Sequence, residues 1–218
     1  MDSPLWIYLL GIFAQSLFGV RVLVQWIASE QAGKVLSPGA YWVLSMAASL
    51  LMMVYGWLRK DLAIIAGEWV VYFIYMWNVG AKGLFRGWPK WAKGVLVALP
   101  ALILLGGWIS EGEFGPLLSD MGGVTGPLLV LGLTGQAVYK SRLVYQIVYS
   151  VRRGESLLPP GFWILAVCGS LLLIVYALIR HDWALLLGQF GIFIAARNLM
   201  IHYSGKKPGS KKTDSNVL

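Results

Sequence analysis

The sequence predicts an all-α integral membrane protein with seven transmembrane helices, arranged as two parallel triple-helix bundles joined by a linker helix. Three observations carry that prediction. Hydrophobic residues make up 58% of the 218 and charged residues only 13%, with mean hydropathy at +0.68, whereas soluble domains are about a quarter charged. Seven apolar stretches come close to the roughly 20 helical residues needed to cross a hydrocarbon core of about 30 Å. A shift of the chain by 121 residues lays its polar and aromatic residues onto one another.

The stretches run over 4–20 (continuing past Arg21 to 29), 38–58, 62–81, 95–110, 121–139 (continuing past Arg142), 157–179 and 183–196 (continuing past Arg197). The first begins at Asp2 rather than a basic region and has no small-residue cleavage site, so it reads as a retained span and not a signal peptide. Charges in the connections orient the rest. Lys82, Arg86, Lys90 and Lys93 follow the third span with no acid among them, and the tail carries Lys206, Lys207, Lys211 and Lys212 against Asp214. Arg152 and Arg153 follow the fifth span, whereas the connection after the fourth holds Glu111, Glu113 and Asp120. Positively charged loops stay cytoplasmic, which predicts a multi-pass membrane protein with its amino terminus outside and its carboxyl terminus inside. Arg59, Lys60, Arg180 and His181 are then left on the outer face. The fourth stretch, at 16 apolar residues, is short. Laid on the surface it would put the Arg152-Arg153 loop and the lysine tail outside, so it too is expected to span.

The shift of 121 pairs Gly11 with Gly132, Gln15 with Gln136, Arg21 with Arg142, Gln25 with Gln146, Ser29 with Ser150 and Gly33 with Gly154. It continues through Pro38 and Pro159, Trp42 and Trp163, Ser49 and Ser170, Tyr55 and Tyr176, Arg59 and Arg180, Asp61 and Asp182, and Gly67 and Gly188. After a one-residue slip, Phe73 meets Phe193 and Asn78 meets Asn198. Three is odd, so two concatenated units would point in opposite directions; the unpaired fourth helix restores the orientation and makes the repeats parallel. The chain therefore divides into a first repeat (1–81), a basic loop with linker helix and outer loop (82–120), a second repeat (121–203) and a basic cytoplasmic tail (204–218) expected to be unstructured. Transporters of this design carry their site between the halves. Ala47, Ala48, Ser49, Gly169 and Ser170 are small enough to allow close helix approach there.

Other classes fit poorly. The one cysteine, Cys168, rules out a disulfide framework, and His181 and His202 do not make a local ligand pair, so no metal and no cofactor are expected. The net charge of +8 lies in short loops and the tail, which reports topology and not nucleic-acid binding.

Arg21 and Gln25 form an i, i+4 pair on one helix face with Ser29, and Arg142, Gln146 and Ser150 repeat it. A charge inside a span faces a cavity or a partner, or else snorkels to the headgroups, and both readings stand for the arginines. Glutamine gains little from snorkelling, which favours an interior site. A guanidinium in low dielectric suits phosphate or carboxylate, so Arg21, Arg142 and Arg197 point to an anionic cargo. Trp42 and Trp163, just after Pro38 and Pro159, are either interfacial belt aromatics or stacking platforms for a sugar ring. Tyr55 and Tyr176 read as belt residues. Glu68, matched by Gln189, is a coupling carboxylate, a partner for a buried arginine, or a surface acid near the helix end. Asp61 and Asp182 read as helix caps.

The run R-x-x-x-Q-W-x-x-S-E, then S-P-x-x-Y-W-x-x-S, then Y-x-x-x-R-K-D and a later G and N, resembles the lipid-A-disaccharide synthase N-terminal domain family. It is present as Arg21, Gln25, Trp26, Ser29, Glu30, Ser37, Pro38, Tyr41, Trp42, Ser45, Tyr55, Arg59, Lys60, Asp61, Gly67 and Asn78. The second unit holds a thinner copy, with Ile147 for the tryptophan and Val151 for the glutamate, and keeps Arg197-Asn198. That family is named for an occasional fusion to a soluble glycosyltransferase, so the resemblance implies a membrane module and no reaction of its own. More distantly, the three-plus-one-plus-three plan is similar to the SWEET sugar transporters of the PQ-loop group. That similarity implies sugar contacts from an asparagine on each third helix, Asn78 and Asn198, and from aromatics of each second helix, Trp42 and Trp163. Both asparagines come later in their spans than a midplane site prefers.

The expected function is a transporter or flippase that moves a lipid-linked sugar, a polyprenyl-phosphate sugar or related anionic glycolipid, in cell-envelope glycan or lipid A biosynthesis. The expected binding residues are Arg21, Gln25, Trp42, Asn78, Arg142, Gln146, Trp163, Arg197 and Asn198, with Glu68 as coupling group or charge partner. The alternatives are a SWEET-like transporter of small sugars and a non-transporting membrane subunit that partners a glycosyltransferase. No nucleophile, base and oxyanion set can be assembled, so the chain is not expected to be an enzyme.

Overall fold

The computed structural model describes residues 4–58, 62–111, 127–181, 186 and 188–204. Seven α-helices and no strands occur among them. They are α1 (Leu5–Ala32), α2 (Gly39–Leu58), α3 (Leu62–Ala81), α4 (Lys90–Glu111), α5 (Pro127–Arg153), α6 (Pro160–Arg180) and α7 (Gly191–Ser204), the last preceded by a 3₁₀ turn at Gly188–Phe190. Among the described residues, Leu5–Ala32, Gly39–Leu58 and Pro160–Ile179 are long and apolar enough to cross a membrane. Helix α7 has 14 residues, and of the apolar stretch at 183–196 residues 183–185 and 187 lie outside the described residues. Asp61 and Asp182, the outer loop beyond Glu111 and the tail beyond Ser204 lie outside the described residues.

The repeated residues are first of all helix punctuation. Helix α1 stops at Gly33 with φ at 60°, and α5 stops at Gly154 with φ at 71°. That left-handed conformation is nearly free for glycine and strained for residues with a Cβ, so both glycines end their helices in the same way. Prolines then start the next helices, with Tyr41 N–H reaching Pro38 O at 3.1 Å and Phe162 N–H reaching Pro159 O at 2.9 Å.

Within each unit the second helix lies in the middle, α2 between α1 and α3 and α6 between α5 and α7. The units meet along two seams, α1 with α7 and α3 with α5, which correspond under the 121-residue shift. Small residues expected between the halves instead serve contacts inside a unit. A Cβ on Gly169 would lie 2.6 Å from the Tyr139 backbone, and Ser49 Oγ donates to the Glu68 carbonyl at 3.1 Å. Tyr55 and Tyr176 are likewise inward: each ring covers a glycine of its first helix, and a Cβ at Gly11 or Gly132 would come within 2.7 Å of it.

Helix α4 packs against α2 and α3. Pro100 within it has no N–H, so the Leu96 carbonyl one turn earlier loses its helical donor. The Tyr72 hydroxyl of α3 donates to that carbonyl at 2.9 Å and ties the two helices together. Beside this tie, α3, α4 and the 82–89 loop border an open cavity of about 580 Å³ lined in part by Phe73, Trp77, Phe85, Lys93 and Leu96, with Gly154 also on its wall.

Candidate functional site

The centre between the halves is a continuous buried cluster to which both units contribute, including Tyr41, Trp42 and Tyr75 from the first and Phe162, Trp163 and Ala195 from the second. Trp42 and Trp163 are 0% and 3% exposed, so neither is a belt residue. Each stands edge-on to the aromatic before it, Tyr41–Trp42 at 4.7 Å and Phe162–Trp163 at 4.8 Å between centroids. Their indoles differ: Trp42 Nε1 donates to Ser37 Oγ at 2.8 Å, whereas Trp163 Nε1 is buried with no partner among the described residues. The position equivalent to Ser37 is Leu158, which offers no acceptor side chain.

The arginines also turn inward. Arg21 is 6% exposed, and its guanidinium lies over the rings of Phe18, Tyr41 and Tyr75 at 4.4, 5.3 and 5.4 Å. One nitrogen, Nη1, donates to Ser45 Oγ at 2.7 Å, and that hydroxyl passes a bond to the Tyr41 carbonyl at 2.6 Å. Arg142 lies over Tyr139 at 3.8 Å and Phe162 at 5.2 Å, the counterparts of Phe18 and Tyr41. It is partly exposed, and alanines, Ala166 and Ala195, stand where the first unit has Ser45 and Tyr75. In both arginines Nε is buried and has no hydrogen-bond acceptor among the described residues. Aromatic faces stabilise a desolvated cation by about 2 kcal/mol or more, yet they leave N–H donors unanswered.

Glutamine and asparagine form the seam contacts. Gln25 and Asn198 exchange amide bonds at 2.8 and 3.1 Å, and Gln146 and Asn78 do so at 2.8 and 3.2 Å. Each glutamine also donates to the serine one turn on and to a loop carbonyl: Gln25 to Ser29 and Leu36, Gln146 to Ser150 and Leu157. The serines accept the loop N–H groups of Leu36 and Leu157 at 3.0 and 3.1 Å. All four amide side chains are fully buried. The sequence places Gln25 with Ser29 and Gln146 with Ser150 on one helix face, and their hydrogen bonds agree with that; the pairing of each glutamine with the asparagine of the other unit has no trace in the sequence. Nor does the sequence single out Ser156, whose Oγ donates to Asn78 Oδ1 at 2.6 Å and lies 3.2 Å from Ser37 Oγ. Ser156 has no serine counterpart, since Val35 takes its place in the first unit.

Arg197 stands apart from the other candidates. It is exposed at the rim of the α1–α7 seam, bonded to Glu30 through Nε and through Nη2, the latter at 2.9 Å from Oε2. At the corresponding rim of the α3–α5 seam, Val151 and Trp77 replace the pair. Lys82 is an electrostatic neighbour of Glu155 nearby; burial holds its ammonium pKa below the ordinary lysine value, against the pull of Glu155. Glu68 has Oε2 buried with no partner among the described residues, and its charged neighbours are Arg21 and Lys140. Lys140 of α5 reaches α3 here, its Nζ only 2.9 Å from where a Gly67 Cβ would stand. Among the described residues no group of three or more His, Cys, Asp or Glu side chains is gathered to hold a metal.

What the arrangement offers chemically is recognition. Two guanidiniums, one from each unit, hold open N–H donors beside aromatic faces, and amide pairs close the seams at the loop end. The family model described as Lipid A Biosynthesis N-terminal domain matches twice, at residues 10–80 and 131–200. Among curated proteins, the chain is similar to the lipid-A-disaccharide synthase of Chlamydia pneumoniae, 25% identical over 208 residues that cover 92% of this chain and 34% of that protein. The synthase of Chlamydia muridarum is 25% identical over 211 residues, covering 90% of this chain and 34% of its own. That of Chlamydia trachomatis serovar D is 24% identical over 209 residues, with 90% and 34% covered. The chain thus spans about a third of the length of these relatives. No solved structure matches it.

Proposed function

Because the chain belongs to the Lipid A Biosynthesis N-terminal domain family and carries that domain twice, we propose that it is a seven-span inner-membrane transporter that moves a lipid-linked sugar bearing phosphate between leaflets. The observation that carries this reading is the inward pair Arg21 and Arg142, each with a buried Nε–H that no described group accepts. Phosphate oxygens supply the missing acceptors, and the negative charge of the phosphate offsets part of the cost of burying two cations. Trp42 and Trp163 flank the centre with apolar faces suited to a sugar ring.

The amide clasps then act as gates. With Gln25–Asn198 and Gln146–Asn78 closed, the loop ends of the two bundles are held together; breaking one clasp and hydrating it through the cargo's hydroxyls costs little, because amide bonds are exchanged for equivalent ones. The halves rock about the aromatic cluster while the lipid tail stays in the bilayer. The positive loops support a clasped end that faces the cytoplasm. Glu68, beside Arg21 and Lys140, serves as counter-ion when the cargo has left.

The test is leaflet translocation of a polyprenyl-phosphate sugar in proteoliposomes. Arg21→Gln/Arg142→Gln is expected to lower the rate roughly tenfold or more, since each charge-assisted hydrogen bond contributes about 1.5–3 kcal/mol. Undiminished translocation in a folded double variant removes the anion site.

A second reading is favoured by a specific finding: the relatives are lipid-A-disaccharide synthases of about three times this length. On that reading the chain is a membrane subunit that delivers or holds glycolipid for a glycosyltransferase. It predicts co-purification with such an enzyme and no translocation by this chain alone.

A further inference from the structure

We infer that the groove between α3 and α4 binds an anionic phospholipid, with its hydrocarbon chain along the groove and its phosphate at Lys93. This does not require the chain to transport anything. The cavity, about 580 Å³, falls within the roughly 300–1,000 Å³ of ordinary ligand sites. Its wall is aromatic and aliphatic: Phe73 and Trp77 from α3, Leu96 and Val97 from α4, with Gly80 and Gly154 leaving room for depth. Lys93 is the one charged residue on that wall, and no acid pairs with it among the described residues.

Two features choose the occupant. Leu96, whose carbonyl is freed by Pro100 and clamped by the Tyr72 hydroxyl, and Phe85 of the 82–89 loop both line the groove. The groove is open and its wall is apolar apart from Lys93, without convergent hydrogen-bonding side chains, which suits an alkyl chain better than a soluble metabolite. At the loop end Arg86 and Lys90 join Lys93 as exposed cations, and the sequence from 82 to 110 contains no acid. Basic residues beside an apolar channel at a membrane surface favour anionic over zwitterionic headgroups by about 1 kcal/mol each. Gly154, directly after α5, also lines the groove, so its occupant lies next to the α3–α5 seam, the one without the Glu30–Arg197 pair.

Native mass spectrometry of the full chain, released from detergent with phosphatidylglycerol or with phosphatidylcholine of the same acyl chains, tests this. The parent is expected to retain one phosphatidylglycerol and roughly a hundredfold less phosphatidylcholine, the three cations contributing together. Lys93→Gln should lower phosphatidylglycerol retention about fivefold; Ala81 also lines the groove, and Ala81→Trp, which fills it, should abolish retention. Ile164→Trp on the exposed face of α6 should retain lipid as the parent does. Circular dichroism verifies that each variant is folded. Equal retention of the two lipids, or parent-like retention by folded Lys93→Gln or Ala81→Trp, overturns the proposal and leaves only loosely associated bilayer lipid.

Discussion

The two units share a scaffold and differ in what they present to the centre. Helix-ending glycines, tyrosines on glycine, and the glutamine–serine lock on the following loop are the same in both. Ser45 with Tyr75, Ser37, Glu30 and Glu68 of the first unit face Ala166 with Ala195, Leu158, Val151 and Gln189 of the second. Duplication preserved the groups that hold backbone and amide pairs, because losing one strands a buried polar partner, and let the others drift. The result is a nearly two-fold frame around an asymmetric interior. On the proposed function, such a frame suits a cargo with distinct ends, which the unlike surroundings of Arg21 and Arg142 would orient.

The largest effect separating the two seams is expected at the asparagines. Each asparagine answers its glutamine and donates to its own helix, and Asn78 in addition accepts from Ser156. Asn78→Ala should cost about 3 kcal/mol and Asn198→Ala about 2, because each leaves buried groups unsatisfied. Reversible unfolding in mixed micelles measures both; equal losses would dissolve the distinction. Converting Gln146 and Asn78 together to leucine should cost less than the two single changes summed, since the orphaned partner is then removed as well.

Next come the shared glycines. Gly11→Ala and Gly132→Ala each push a Cβ into a tyrosine ring, so both should destabilise by about 1–3 kcal/mol and by similar amounts. A large disparity would mean that the scaffolds are less alike than their contacts. A smaller effect concerns the arginines: Ser45→Ala should lose about 1 kcal/mol, and Ala166→Ser should return part of that to the Arg142 side. The same micelle titration reads both. The smallest is expected at the rim, where Glu30→Gln removes an exposed ion pair. Its effect on unfolding should be visible at low salt and vanish near 1 M, where charges are screened within about 3 Å.

Much of the frame was legible in the chain. The seam residues Gln25, Gln146, Asn78 and Asn198 and the inward arginines stand out as polar types repeated in apolar surroundings, and Gly33 and Gly154 as helix stops. Their roles were less legible. Trp42 and Trp163 sit at helix starts, a place shared by belt and core tryptophans, and only packing separates the two. Arg197 matches the other arginines in type but not in burial, because Glu30, 167 residues earlier, holds it at the surface. Tyr72 gave no signal on its own; its role follows from Pro100 on a different helix.

By itself the sequence determined what depends on neighbours along the chain: apolar helices, their glycine and proline ends, the duplication, and the face on which Arg, Gln and Ser align. Those follow from helical periodicity and from backbone sterics, which act over a few residues. Tertiary structure alone decided which amide meets which, at separations of 173 and 68 residues, where the guanidiniums turn, and that α3 and α4 part to leave a groove. Such pairings depend on how whole helices pack, and a hydrogen bond or a void between distant segments leaves no periodic trace in either one.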